Sequence, residues 1–229
     1  MITLRFKRFN DGVFVPHVDV LRSLNRTFRR AGIDVRYSNG FNRHMVLRLT
    51  QPIPFGVADD DAYVTADIKS DFPLEEIFDK FVKACPPYIR PLGAYVTELN
   101  PSLGGTINAS SYRVQGKLNV EQAEKINAVF GKEYEITLRK NGGADRKEVS
   151  SLIYYLKADE DGFDATLAFG NVNLRIDLLI EQFNDDFGTK FSVTDVVRTK
   201  QLIRQADGKV LSAEDYLLEK CTEKYISKE

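Results

Sequence analysis

The sequence predicts an α+β protein built of two tandem ferredoxin-like (βαββαβ) modules with antiparallel sheets, the second module carrying an extra strand. Three observations predict it. The first 99 residues alternate strand and helix periodicity in the order β-α-β-β-α-β. A polar, glycine-containing stretch, Asn100-Pro-Ser-Leu-Gly-Gly-Thr106, then reads as a linker. Residues 107–203 repeat the order with one strand more. The expected organisation is therefore 1–99, 107–203 and a C-terminal extension, 204–229.

Each element has its own signal. Ile2, Leu4 and Phe6 alternate with Thr3, Arg5 and Lys7, a strand with one basic face. Asp11-Gly12 marks a turn, and Pro16 suits the first turn of a helix. On that helix Val20, Leu21, Leu24, Phe28 and Ala31 share an arc of about 100°. Arg22, Arg26, Arg29 and Arg30 fall on the opposite arc, and Gly32 ends the helix. Residues 34–44 read as a loop with an Asn39-Gly40 turn. Met45, Leu47 and Leu49 give the second strand, and residues 62–68 the third. Leu74, Ile77, Phe78 and Phe81 predict a helix over 73–85, stopped by Pro86-Pro87. Leu92, Ala94 and Val96 give the fourth strand.

In the second half Tyr112 and Val114 lie in a strand, and Asn119 with Gln122 forms a capping box for a helix to about 130. Tyr134, Ile136 and Leu138 alternate as a half-exposed strand, followed by a polar loop at 140–147. Residues 150–158 and 163–169 read as a hairpin across Asp159-Glu-Asp-Gly162, residues 172–184 as a helix and 192–203 as a final strand. The charged last 25 residues are expected to drape over the surface, with a short helix near 213–221.

Composition excludes several function classes. The chain has 229 residues, 43% hydrophobic and 28% charged, ordinary for a folded protein. No apolar run approaches the roughly 18 residues that span a bilayer, and the first residues read as a strand rather than a signal peptide. Cys85 and Cys221 are the only cysteines, which rules out a disulfide scaffold, a cysteine-rich zinc site or an iron–sulfur cluster held by this chain alone. A cytoplasmic location is expected. There is no Walker loop and no Gly-x-Gly-x-x-Gly; Gly104-Gly105 and Gly142-Gly143 read as turns. The net charge of −1 conceals a gradient: residues 1–50 carry +7, residues 51–100 −5, residues 101–150 +2 and the remainder −5. A basic first fifth is the usual footprint of an anionic partner, or else arginines solvating a helix.

Both histidines, His17 and His44, lie in that basic segment. If their ends of the chain meet, they frame a pocket with Asp19, Tyr37 and Ser38, in which one imidazole takes a 2′-hydroxyl proton and the other protonates the leaving oxygen. Against this, His17 falls on the apolar arc of its helix, where an imidazole is more often packed than catalytic. The two imidazoles could also ligate a metal with Asp19, but with no His-x-x-x-His pair present neither a metal nor a cofactor is expected. The nucleic-acid candidates are Arg22, Arg26, Arg29, Arg30, Arg36, Tyr37, Ser38, Phe41, Asn42 and Arg43: arginines for phosphates, and Tyr37 and Phe41 for unpaired bases. Phe41 reads equally well as a plug of the loop into the core. Gly40 and Gly56 are taken as structural loop positions. Asp59-Asp60-Asp61 reads as a solvated loop tip.

His17-Val-Asp19-Val-Leu-Arg22, Arg26, Arg29-Arg30-Ala-Gly32, Tyr37-Ser38-Asn-Gly40-Phe41-Asn42-Arg43-His44 and Pro52-Ile-Pro-Phe-Gly56 together resemble the radical-SAM-linked protein family, domain of unknown function 2344. Val197-Arg198-Thr199 and Asp207-Gly208 resemble its C-terminal stretch. The chain departs from the family pattern at Pro16, where a serine is usual, and at Arg43 and Met45, where prolines flank the histidine. The resemblance implies a protein encoded beside, or fused behind, a radical SAM enzyme and linked to RNA or ribosome maturation. A radical SAM cluster needs three cysteines, so this chain would be the partner. The expectation is a non-catalytic RNA-binding or substrate-presenting protein, with RNA and a radical SAM enzyme as partners and neither membrane nor DNA. The alternatives are a metal-independent endoribonuclease using His17 and His44, and a protein–protein adaptor.

Overall fold

The computed structural model describes residues 1–140 and 143–227, so the turn expected at Gly142-Gly143 falls partly outside the described residues. The chain is an α+β protein whose strand pairs described below are all antiparallel. It divides into two units, one comprising residues 1–53, 58–106 and 211–229, the other residues 54–57 and 107–210.

The first unit runs β1 (Ile2–Arg8), α1 (His17–Arg30), β2 (Leu47–Leu49), β3 (Ala58–Ala66), α2 (Leu74–Ala84) and β4 (Ile89–Thr97). A short turn of helix, α3 (Leu103–Thr106), follows, with Leu103 buried. The sheet order is β4-β1-β3-β2. Ile2, Leu4 and Phe6 from β1, Ala62, Val64 and Ala66 from β3, and Ala94 from β4 pack with Val20, Leu24 and Phe28 of α1 and Ile77, Phe78 and Phe81 of α2. The Phe28 and Phe81 rings lie 5.0 Å apart and join the two helices.

The third strand begins four residues earlier than expected and takes in the acidic run. Asp59 and Asp61 are buried there, so the loop-tip reading of Asp59-Asp60-Asp61 is corrected. Each has a polar partner supplied by an adjacent strand or by a neighbouring backbone group, which is what makes a buried carboxylate tolerable. The tail is also corrected. After β11 (Val210–Ser212) and α6 (Ala213–Leu218), residues 221–226 form a strand, β12 (Cys221–Ile226), paired antiparallel to β4. Residues expected to drape over the surface thus extend the first unit's sheet.

The second unit contains β5 (Ala109–Gln115), α4 (Val120–Val129), β6 (Glu135–Lys140), β7 (Gly143–Glu148), β8 (Ile153–Asp159), β9 (Gly162–Ala168), α5 (Ile176–Phe187) and β10 (Val196–Arg204). Its sheet order is β10-β5-β9-β8. The capping box of Asn119 and Gln122 opens α4. Phe163 packs against Phe183 and Phe191 with centroids 5.4 and 5.2 Å away, the centre of this core. The expected polar loop at 140–147 is instead half of a hairpin: β6 and β7 pair as a separate two-stranded sheet. Every residue of β7 is exposed, so no apolar alternation marks it. The helix expected from 172 starts at Ile176, and Val172 is exposed.

Candidate nucleic-acid interface

Helix α1 is the scaffold of the candidate site. Val20, Leu24, Thr27 and Phe28 are buried, which turns Arg22, Arg26 and Arg29 to solvent. Seven residues of helix separate Arg22 from Arg29, a rise of about 10 Å. Arg22 holds Asp19 one turn back at 2.8 Å, an exposed pair. No carboxylate among the described residues pairs with Arg26 or Arg29. Arg30 is placed differently from its expected companions: its guanidinium donates to the Ala84 carbonyl at 2.7 Å and to Thr27 Oγ1 at 3.3 Å. It therefore caps the last carbonyls of α2, where a cation also complements the helix dipole.

The loop after α1 is tied at both edges. Val35 bridges to Ile68 and Tyr37 to Met45. The Arg36 N–H donates to Asp67 O at 2.8 Å, and the Val46 N–H to Arg36 O at 2.9 Å. Tyr37 is half-buried and packs one side against the core. Ser38 and His44 close the tip: the Ser38 N–H donates to His44 O at 2.8 Å, the His44 N–H to Ser38 Oγ at 3.2 Å, and Ser38 Oγ lies 3.0 Å from His44 Nδ1. Between them Gly40 takes a φ of 126°, a conformation open to glycine. The tip presents Phe41, Asn42 and Arg43 to solvent, and Phe41 is 103% exposed. Phe41 is therefore not a plug. Arg36 reaches Asp67 at 3.4 Å across the surface. Gly56 has a φ of 92° and leaves room for Val193, whose Cγ2 would stand 2.7 Å from a β-carbon there.

The two histidines are not brought together. Leu47 of β2 and Ile2 of β1 both pair with Ala66, so β2 begins level with the start of β1. His44 precedes that point by three residues. His17 stands beyond the other end of β1, where the Arg8 guanidinium binds the Val15 carbonyl at 3.1 Å. Six residue steps of strand, or the 14-residue helix itself, put on the order of 20 Å between them. Asp19 lies on the His17 side and Ser38 and Tyr37 on the His44 side. The shared pocket of His17, His44, Asp19, Tyr37 and Ser38 does not form. No group of three or more His, Cys, Asp or Glu among the described residues is placed to hold a metal ion.

The opposite face of the first unit's sheet carries a polar cluster that motif reading missed. Arg5 Nε donates to Asp61 Oδ1 at 2.9 Å, and Arg5 Nη1 to Glu214 Oε2 at 2.5 Å. Tyr63 donates to Asp61 Oδ1 and Tyr95 to Glu214 Oε1, each at 2.6 Å. Burial works against the Arg5 charge, but Tyr63, Asp61 and Glu214 more than offset it and hold its pKa above the usual arginine value. Burial, then Asp61, raises Tyr63; burial, then the bond to Glu214, raises Tyr95. A signal was available: Thr3 and Arg5 alternate on β1, and Arg5 pairs with Tyr63 of β3, two residues from Asp61.

No helix among the described residues is long and apolar enough to cross a membrane. No curated protein matches the chain at a significant level. Among solved structures the chain is similar to an unknown protein from Galdieria sulphuraria, at 10% identity over 83% of this chain and 94% of that one, with a TM-score of 0.24, too low to carry an argument. The family profile described as "Uncharacterized protein conserved in bacteria (DUF2344)" matches residues 1–187, a span that holds α1, its arginines and the Ser38–His44 loop, and the chain belongs to that family.

Proposed function

We propose that this chain is a non-catalytic RNA-binding protein that presents RNA to a radical SAM enzyme in the cytoplasm. The observation that carries the RNA reading is the solvent face of α1, where Arg26 and Arg29 stand beside Arg22 without an acidic partner among the described residues. Arginines at this spacing hold phosphates, and the protruding Phe41 with Arg43 offers a stacking surface for an unpaired base. The enzyme partner rests on the resemblance of residues 16–56, and the location on two free thiols. The strand orders β4-β1-β3-β2 and β10-β5-β9-β8 support reading the units as tandem ferredoxin-like modules, with the β6–β7 hairpin inserted in the second. The endoribonuclease reading finds no support, because His17 and His44 lie at opposite ends of α1.

The test is binding of a fluorescent single-stranded RNA at 50 and 200 mM salt by the wild type and by an Arg22→Ala/Arg26→Ala/Arg29→Ala variant. Three phosphate contacts on a single strand predict a loss of about 20-fold across that salt range. The variant is expected to lose both the affinity and the salt dependence. Equal binding by the variant would overturn the assignment of these arginines. No binding by the wild type would favour the adaptor reading.

A further inference from the structure

We infer that the groove between the C-terminal ends of α1 and α2 is a second phosphate-binding track, which takes the backbone of the same RNA strand after it leaves the arginine face. The inference rests on the RNA reading above. The groove is a shallow depression of about 550 Å³, open to solvent and lined by Arg30, Ala31, Lys80, Lys83, Ala84 and Cys85. On α1, Arg22, Arg26 and Arg30 recur every four residues. Such a row drifts about 40° per step around a helix, and it leads from the solvent face over to α2, where Arg30 is fixed on the Ala84 carbonyl. The two anchoring bonds leave other guanidinium N–H groups of Arg30 for a ligand.

Charge on α2 is sorted in the same sense. Glu75 and Asp79 lie beside Tyr225, whose pKa burial and these carboxylates raise, on the flank away from α1. Lys80 and Lys83 line the groove, and among the described residues only Glu76 pairs with either, at 3.4 Å from Lys80 Nζ. Lys80 also rests 4.5 Å from the centre of the Phe72 ring, which holds it in place. Lys83 has no acidic partner among the described residues. The two helix C-termini contribute about half a negative charge each and Glu76 a full one, so the three cations leave the groove with a net charge of about +1. Cys85 adds no negative charge, because burial pushes its thiol up to about 12. A positive groove continuous with a row of arginines fits a polyanion laid along it.

The test compares single-stranded RNAs of about 4 and about 12 nucleotides. The shorter covers the arginine face alone and the longer reaches the groove. A Lys80→Gln/Lys83→Gln variant keeps a flexible polar side chain, about one atom shorter, at two exposed or half-exposed positions and removes the charge. It is expected to bind the short RNA as the wild type does and the long RNA several-fold more weakly. Its salt slope on the long RNA should fall by about 1.4, for two lost phosphate contacts. Unchanged affinity and slope on the long RNA would overturn the groove while leaving the arginine face standing. Failure of the wild type to bind either RNA would overturn both readings, and the wild-type measurement tells these two failures apart.

Discussion

The Arg5 guanidinium holds the Glu214 carboxylate at 2.5 Å across 209 residues of sequence, pinning helix α6 to the open face of the first unit's sheet. The same carboxylate accepts from Tyr95. Removing it leaves a buried phenol without its acceptor and a half-buried guanidinium with one partner fewer. Such losses cost about 1–3 kcal/mol. Glu214→Ala is expected to lower the urea midpoint and to speed amide exchange in β12, which follows α6 directly. Wild-type exchange in β12 would show that α6 is held by other contacts.

Alkali should attack this cluster. Burial and a carboxylate neighbour raise both Tyr63 and Tyr95 above the ordinary tyrosine value of about 10. Their protonated forms donate to Asp61 and Glu214, so the folded state keeps protons that the unfolded chain releases. The stabilisation is complete below about pH 10 and is lost as pH climbs toward the raised values. The unfolding midpoint is expected to fall steeply above pH 10, and less steeply in a Tyr63→Phe/Tyr95→Phe variant, which has no phenols to ionise there. Parallel pH profiles for the two proteins would refute the assignment.

What the sequence disclosed, and what it withheld, follows from where each element finds its partners. The elements Ile2–Arg8, His17–Arg30 and Leu74–Ala84 were readable because one face of each is buried within a single core, and the apolar period records it. The strand Gly143–Glu148 buries nothing and left no such record. Burial of Asp59 and Asp61 was hidden for a related reason: three successive aspartates look solvated until a strand with Arg5 is laid beside them. The strand role of Cys221–Ile226 depends on a pairing with residues 93–97, more than 120 positions earlier, which no local window contains. In the candidate site the solvent side of α1 was legible from the helical wheel alone. The separation of His17 from His44 was not, because it is set by the register of β1 and β2 on β3.

Strand β8 forms the outer edge of the second unit's sheet, at the end of the order β10-β5-β9-β8. An unpaired edge is a template for another strand. Asn127 of α4 occupies it: its side-chain amide donates to the Ala158 carbonyl at 3.1 Å, and its oxygen accepts from the Ala158 N–H at 2.8 Å. The side chain thus supplies the donor and acceptor that a further strand would offer, at one residue of the edge. Asn127→Ala frees both groups of Ala158 together. Each net hydrogen bond is worth about 1 kcal/mol, so a loss of about 2 kcal/mol is expected. Exchange should accelerate at the Ala158 amide, while the amides of β8 that point to β9 stay protected. The variant should also self-associate at lower concentration than the wild type in light scattering. A destabilised variant that stays monomeric would mean that the charge of the neighbouring Lys157, rather than Asn127, keeps this edge from pairing.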